Sequence, residues 1–168
     1  MERRLVAIGF DPGLATTGYG VVCTAAAGWQ VVAGGVIRTD KETPRAQRLR
    51  EIFDEAHTLI ETYKPDAVSI EEVFLATNAK TAMRTAETRG ALLMAACGLP
   101  VRGYTPLQVK KRITGYGKAN KAQVQAMVKR LLRLTGTPKP DDMADGLALA
   151  LCCLLDLRGP AGEDYVYL

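Results

Sequence analysis

The alternation of apolar and polar positions divides the chain into ten segments, five that read as strands and five as helices. "LVAIGF" (Leu5 to Phe10) is a β-rich run closed by the Pro12-Gly13 turn, and "TGYGVVCT" and "WQVVAGGVIRT" follow at close spacing, so an antiparallel meander is expected. From Thr43 the period changes to that of a helix, with Leu49, Ile52, Phe53, Ala56, Leu59 and Ile60 on one face. Thr43 is the expected N-cap and Pro44 the first helical residue, while Lys64-Pro65-Asp66 ends the segment. "AVSIEEVF" reads as a fourth strand. "NAKTAMRTAETRGALLMAACG" is a long helix rich in small residues, with Gly98 as its expected C-cap, and "PVRGYT" is a fifth strand. Then come a helix over Pro106 to Ile113, a Gly-rich loop "TGYGKAN", a basic helix near Lys121 to Leu134, and a last helix from about Asp141 to Leu157. In that last helix Met143, Leu147, Leu151 and Leu154 mark the expected buried stripe. No repeat or linker interrupts the pattern, so residues 1–168 are expected to form one α/β domain with a short tail from about residue 158.

Composition narrows the class. At 168 residues the chain can bury roughly 70% of its unfolded surface. The longest apolar stretch, Leu147 to Leu155, falls well short of the ~20 residues of a membrane span, and Asp11 arrives before a signal-peptide core could build up. A cytoplasmic protein without membrane contact is expected. Cys23, Cys97, Cys152 and Cys153 form no C-x-x-C pair and read as buried free thiols. The single histidine, His57, sits in a plain amphipathic segment, which argues against multi-histidine zinc sites and a Ser-His-Asp triad.

The formal net charge of +4 hides an asymmetry: Thr88 to Pro140 contains 11 Lys or Arg and no Asp or Glu, leaving 11 basic against 18 acidic residues elsewhere. Such a block suits a polyanion, although a solvated basic face is the blander explanation. Against it stand carboxylates in apolar surroundings. Asp11 ends the first strand, and Glu71, beside Glu72, lies near the end of the fourth, the strand end where α/β sheets form ligand crevices. Asp142 and Asp145 are three apart in the first turn of the last helix, so their Cβ atoms are roughly 5–6 Å apart. Taken singly, Asp11 could serve a turn and Asp141 or Asp142 could cap a helix. Jointly, the acids suggest an all-oxygen cage for a hard cation, Mg²⁺ or Mn²⁺. Two ions about 3.5–4 Å apart would activate water at a phosphodiester, and beside a basic surface that chemistry implies a nuclease.

Order and spacing add a resemblance. The segments "IGFDPGLATTGYGVV", "SIEEVFLATNAKTA", "TPLQVKKRITGYGKANKAQVQAMV" and "DDMADGLALA" resemble, in that order, the signature segments of the RuvC family of crossover-junction (Holliday junction) endodeoxyribonucleases. The resemblance runs from about Val6 to Leu155. It implies a ribonuclease H-like fold, with a five-stranded mixed sheet flanked by helices, and resolution of four-way junctions during recombination and repair. It assigns Asp11, Glu71, Asp142 and Asp145 as the catalytic, metal-binding acids, Phe74 as an aromatic used against bases, and Lys110 and Lys121 as lysines near the scissile phosphate. It further implies a homodimer and contact with a branch-migration motor. Lys118 is a DNA-contact candidate from charge and position alone. Phe10 stands where Ile is commoner, and Met143 and Gly146 where Ala is usual; neither departure removes a ligand.

Other classes fit less well. "DPGLATTG" also resembles the phosphate loop of actin-like ATPases, but those enclose nucleotide between two such domains. A junction-binding module, or a resolvase-like protein acting on RNA, would keep the fold but not this reaction. Gly18 and Gly20 are expected to serve tight hairpin packing. Ala79, Ala82, Met83, Ala86, Gly90, Leu93, Met94 and Ala95 give the Asn78 to Cys97 helix apolar or small residues on more than one face, making it the expected dimer contact.

Overall fold

The computed structural model describes residues 3–73 and 78–158. The elements are β1 (Val6–Asp11), β2 (Thr16–Ala25), β3 (Gly28–Arg38), α1 (Arg45–Tyr63), β4 (Ala67–Glu71), α2 (Ala79–Ala95), β5 (Val101–Tyr104), α3 (Pro106–Thr114), α4 (Lys121–Leu131) and α5 (Asp141–Arg158). They form one five-stranded sheet in the order β3-β2-β1-β4-β5. The first three strands are the expected antiparallel meander, whereas β1-β4-β5 run parallel. This is the mixed sheet that the resemblance implies.

The period of two along the strands assigns every residue to one of two cores. Ile8, Phe10, Val68 and Ile70 face α1 and α2, where they meet Ile52, Ala56, Ile60 and Leu92. Ala7, Val22 and Ala67 face the opposite side, against α5, with Val109 and Ile113 of α3 and Val124 and Val128 of α4 in the same cluster. Ile8, Phe10, Ile70 and Leu92 are fully buried, each contributing about 1.5–3 kcal/mol through removal from water. The same alternation that points Phe10 at α1 and α2 turns Asp11 toward α5, and the pair Ile70 and Glu71 repeats this on β4.

How closely α5 lies on the sheet is set by glycines. Gly9 of β1 pairs with Gly20 of β2, and Asp11 pairs with Gly18. A Cβ on Gly9, Gly18 or Gly20 would meet α5 atoms at less than 3.0 Å, at Gly146, Ala150 and Leu149, at Asp142, and at Leu147 respectively. From the helix side, a Cβ on Gly146 would press on the Tyr19 and Gly20 backbone. The expected tight packing at Gly18 and Gly20 is therefore against α5.

Several expectations need correction. Thr43 does not cap α1: Pro44 occupies the N-cap position without a side-chain cap, and Thr43 instead donates its N–H to the Asp40 carbonyl in a turn. The C-cap of α2 is Ala96, two residues before Gly98, and Gly98 follows in the left-handed region at φ 88°. No single stripe on α5 is buried, because α3 and α4 cover its outer side; the helix is buried on all sides from Gly146 to Leu154, and Met143 is only half-buried. Cys97 is exposed, unlike the other three thiols. Among the described residues no helix is long and apolar enough to cross a membrane.

A buried polar knot fixes the far end of α5. The Tyr104 hydroxyl donates to Asp156 Oδ2 at 2.5 Å, Arg102 pairs with the same carboxylate at 2.9 Å, and Arg112 of α3 forms a further ion pair with it. Burial pushes the Tyr104 hydroxyl well above its ordinary pKa and the Cys152 and Cys153 thiols up to about 12, so these groups are neutral and structural.

Candidate active site

Asp11 and Glu71 end neighbouring parallel strands, one residue beyond the paired Phe10 and Ile70, and project from the same face of the sheet. Over that face lies the N-terminal end of α5, which carries Asp142 in its first turn and Asp145 just beyond it. Neither strand nor helix could bring these four acids together alone. The glycine-lined approach does so by allowing the α5 backbone to rest on β1 and β2.

The electrostatics register that convergence. Asp11 is raised to about 6, by burial first and then by repulsion from Asp145 and Asp142. Glu71 is raised to about 8, by burial and then by Asp11 and Asp145, and it shares a hydrogen bond with Asp11. The pair therefore holds a proton at neutral pH, as expected when two carboxylates share a desolvated site. Asp145 is also raised, chiefly by burial, with the Lys121 ammonium opposing. Glu72, by contrast, points aside toward Gly103 of β5.

Lys121 is the first residue of α4. The side chain of Asn120 accepts from Gln123 N–H at 2.9 Å and that of Gln123 accepts from Asn120 N–H at 2.8 Å, a capping box that fixes where the helix begins. Lys121 Nζ lies 3.2 Å from Asp141 Oδ2 and 3.5 Å from Asp145 Oδ2. Burial works against its charge, but Asp141 and Asp145 outweigh that and hold the ammonium above its ordinary pKa. Asp141 in turn is lowered, by its hydrogen bond with Lys121 first and by Gln125 second. In the sequence Asp141 reads only as a helix cap, and no motif marks Gln125. The signal present was the i, i+4 spacing of Lys121 and Gln125, but it had no partner until α4 met α5.

The structure thus gathers Asp11, Glu71, Asp142, Asp145 and Lys121 at one place. Lys110 is half-buried on α3 and Lys118 is exposed in the loop before α4; among the described residues neither joins an ion pair with the acids. Phe74 lies outside the described residues. His57 stacks on Phe53 on the outside of α1, away from the acids.

Among the described residues no group of three or more His, Cys, Asp or Glu side chains is arranged to hold a metal ion. The donor chemistry nonetheless fits a hard divalent cation: the ligands available are carboxylate oxygens, partly stripped of water and, at Asp11 and Glu71, also raised by repulsion from neighbouring acids.

Acids converging at the carboxyl edge of a mixed five-stranded sheet, bridged to a lysine from a basic segment, define a ribonuclease H-like nuclease. The family model "Crossover junction endodeoxyribonuclease RuvC" matches residues 7–153, and the chain belongs to that family. It is 47% identical over 153 residues to the crossover junction endodeoxyribonuclease RuvC of Syntrophomonas wolfei, covering 90% of this chain and 89% of that one. It is 45% identical over 151 residues to RuvC of Heliobacterium modesticaldum, covering 89% of this chain and 93% of that one. In three dimensions it resembles Thermus thermophilus RuvC in complex with Holliday junction substrate at a TM-score of 0.87, 34% identity and coverage of 92% and 95%. The yeast mitochondrial Holliday junction resolvase Ydc2, at 15% identity and a TM-score of 0.60, shares the fold.

Proposed function

We propose that the protein is a structure-specific endodeoxyribonuclease that resolves four-way DNA junctions by paired symmetric nicks. The observation that carries this reading is the acid cluster Asp11, Glu71, Asp142 and Asp145, built by β1, β4 and α5 in a chain of the RuvC family.

Asp11, Glu71, Asp142 and Asp145 would hold the metal, Mg²⁺ or Mn²⁺, as two ions per site. When bound, these supply an activated water and neutralise charge on the leaving oxygen. The proton retained by Asp11 and Glu71 at neutral pH must leave before both can act as ligands. The Lys121 ammonium, beside Asp145, is placed to donate hydrogen bonds to phosphate oxygens as charge develops on them. Lys110 and Lys118 add phosphate contacts, and Phe74 stacks on a base at the crossover.

Two opposed nicks need two active sites in fixed relation, which a homodimer supplies. Along α2 an exposed stripe of Met83, Ala86 and Met94 runs past Gly90, where a Cβ would meet nothing of this chain, and on to Cys97 just beyond the helix end. We assign that stripe to the dimer contact. A protein acting on recombination junctions would work in the cytoplasm, and the family resemblance implies a branch-migration motor as its partner.

The test is a mobile four-way junction incubated with the protein, with and without Mg²⁺. Symmetric, metal-dependent nicks support the reading; retention without nicking indicates a junction-binding module, and preference for a branched RNA indicates a different substrate. Sedimentation at micromolar concentration of wild type and Ala86→Arg tests the dimer. A monomer that still makes paired nicks, or a dimer indifferent to that substitution, would exclude the α2 contact.

A further inference from the structure

We infer that Asp141, outside the four acids assigned to the metal, is a positioning residue that shares the Lys121 ammonium with Asp145 and anchors it at the rim of the site. This rests on the nuclease reading above and names a component that the four-acid description leaves out.

The geometry starts from an awkward placement. Lys121 is the first residue of α4, where unpaired backbone N–H groups and the helix dipole make a cation unfavourable. Two carboxylates compensate, Asp141 at 3.2 Å and Asp145 at 3.5 Å. They are not equivalent. Asp145 sits deeper in the acid cluster, with a side chain 36% exposed, whereas that of Asp141 is 61% exposed at the rim. A lysine held by Asp145 alone would compete with a cation for that carboxylate. A lysine shared with Asp141, the nearer partner, competes less for Asp145 and still stands beside the site.

The rim anchor is itself oriented. Gln125, one helical turn beyond Lys121 on the same face of α4, donates from Nε2 to Asp141 Oδ1 at 3.1 Å. That bond occupies one carboxylate oxygen and presents the other, Oδ2, to Lys121. The capping box of Asn120 and Gln123 fixes the helix start from which both side chains reach. Asp141, Lys121 and Gln125 thus latch the N-terminal ends of α4 and α5 to each other.

The test is a double-mutant cycle on Asp141→Asn and Lys121→Ala. Calorimetric titration of the full-length protein with Mg²⁺, without DNA, gives one readout; single-turnover cleavage of a four-way junction at saturating protein and Mg²⁺ gives the other. Asp141→Asn should weaken Mg²⁺ about 2–5-fold when Lys121 is present, the scale of an exposed ion pair, and much less in the Lys121→Ala background. It should also lower the cleavage rate without changing junction affinity, and Asp141→Glu should restore most of that rate. Gln125→Ala should shift Mg²⁺ binding in the same direction by a smaller factor. Equal weakening in both backgrounds would reduce Asp141 to a diffuse charge and overturn the proposal, as would wild-type Mg²⁺ binding and cleavage in Asp141→Asn. Failure of the wild-type protein to nick junctions would instead overturn the nuclease reading, which the same wild-type control reports.

Discussion

Substituting Gly20 by alanine replaces one Cα hydrogen with a methyl group at the point where α5 rests on the sheet. The new Cβ would meet Leu147 N at 2.5 Å, Leu147 Cα at 2.6 Å and Leu147 Cδ2 at 2.7 Å, whereas ordinary contact begins at 3.4 Å. The Leu147 side chain can turn away, but its backbone cannot, so α5 must withdraw by about 0.8 Å at Cα if the contact is to relax. Overpacking of this kind costs about 1–3 kcal/mol, which for a chain of this size lowers the melting temperature by roughly 2–12 °C. Asp145 lies two residues before Leu147 on the same helix and moves with it. A displacement near 1 Å within a catalytic constellation costs on the order of 100-fold in rate, so Gly20→Ala should cleave tens of times more slowly at saturating protein while still binding junction DNA. Single-turnover cleavage, a gel-shift titration and a thermal melt measure the three consequences. Gly136→Ala, where a Cβ meets nothing, is the control and should match wild type in all three. If Gly20→Ala kept the wild-type melting temperature and rate, α5 would not depend on the glycine-lined approach and the account of how Asp145 is placed would fail.

Asp11→Asn, Glu71→Gln and Asp145→Asn should each abolish nicking yet leave junction affinity within a few-fold, because binding arises mainly from phosphate contacts by Lys and Arg; a variant that cuts at the wild-type rate removes its residue from the site. Metal-free stability should fall as pH rises from about 4.5 to 8: Glu71 keeps a proton in the folded state that the unfolded chain releases, so folding is favoured below that window and loses a few kcal/mol across it. Glu71→Gln should flatten this slope and be more stable than wild type at pH 8 in urea titrations with EDTA, and an unchanged slope would show that the carboxyl is not strained. Lys121→Ala should slow cleavage even when all DNA is bound, whereas neutralising Lys129, Arg130 and Arg133 should weaken binding and flatten its salt dependence; normal cleavage by Lys121→Ala at saturation would leave Lys121 as a phosphate contact only.

Local rules, which need only the chain, already determined a great deal. Strand alternation in "LVAIGF" and "AVSIEE" puts Asp11 and Glu71 on the face opposite Phe10 and Ile70, and i, i+3 spacing makes Asp142 and Asp145 neighbours. The ten elements, the antiparallel meander and the acid-free basic block were legible for the same reason. Element ends were not: Thr43 had every attribute of a cap, but the turn closed by its N–H on Asp40 leaves Pro44 at the position where α1 begins.

Distances between segments remote in sequence are set only once the fold is assembled. That α5 lies bare-backbone against Gly9, Gly18 and Gly20 requires the pairing of β1 with β2 and a glycine at Gly146, and no single window contains all four. The full burial of α5 follows from α3 and α4 closing over it, which a one-helix hydrophobic pattern does not encode. Asp141 reads as a helix cap until α4 brings Lys121 and Gln125 to its two oxygens. The raised pKa values of Asp11 and Glu71 likewise belong to the assembled site, because burial and repulsion depend on what the fold places around a carboxylate, while its identity and spacing depend only on the chain.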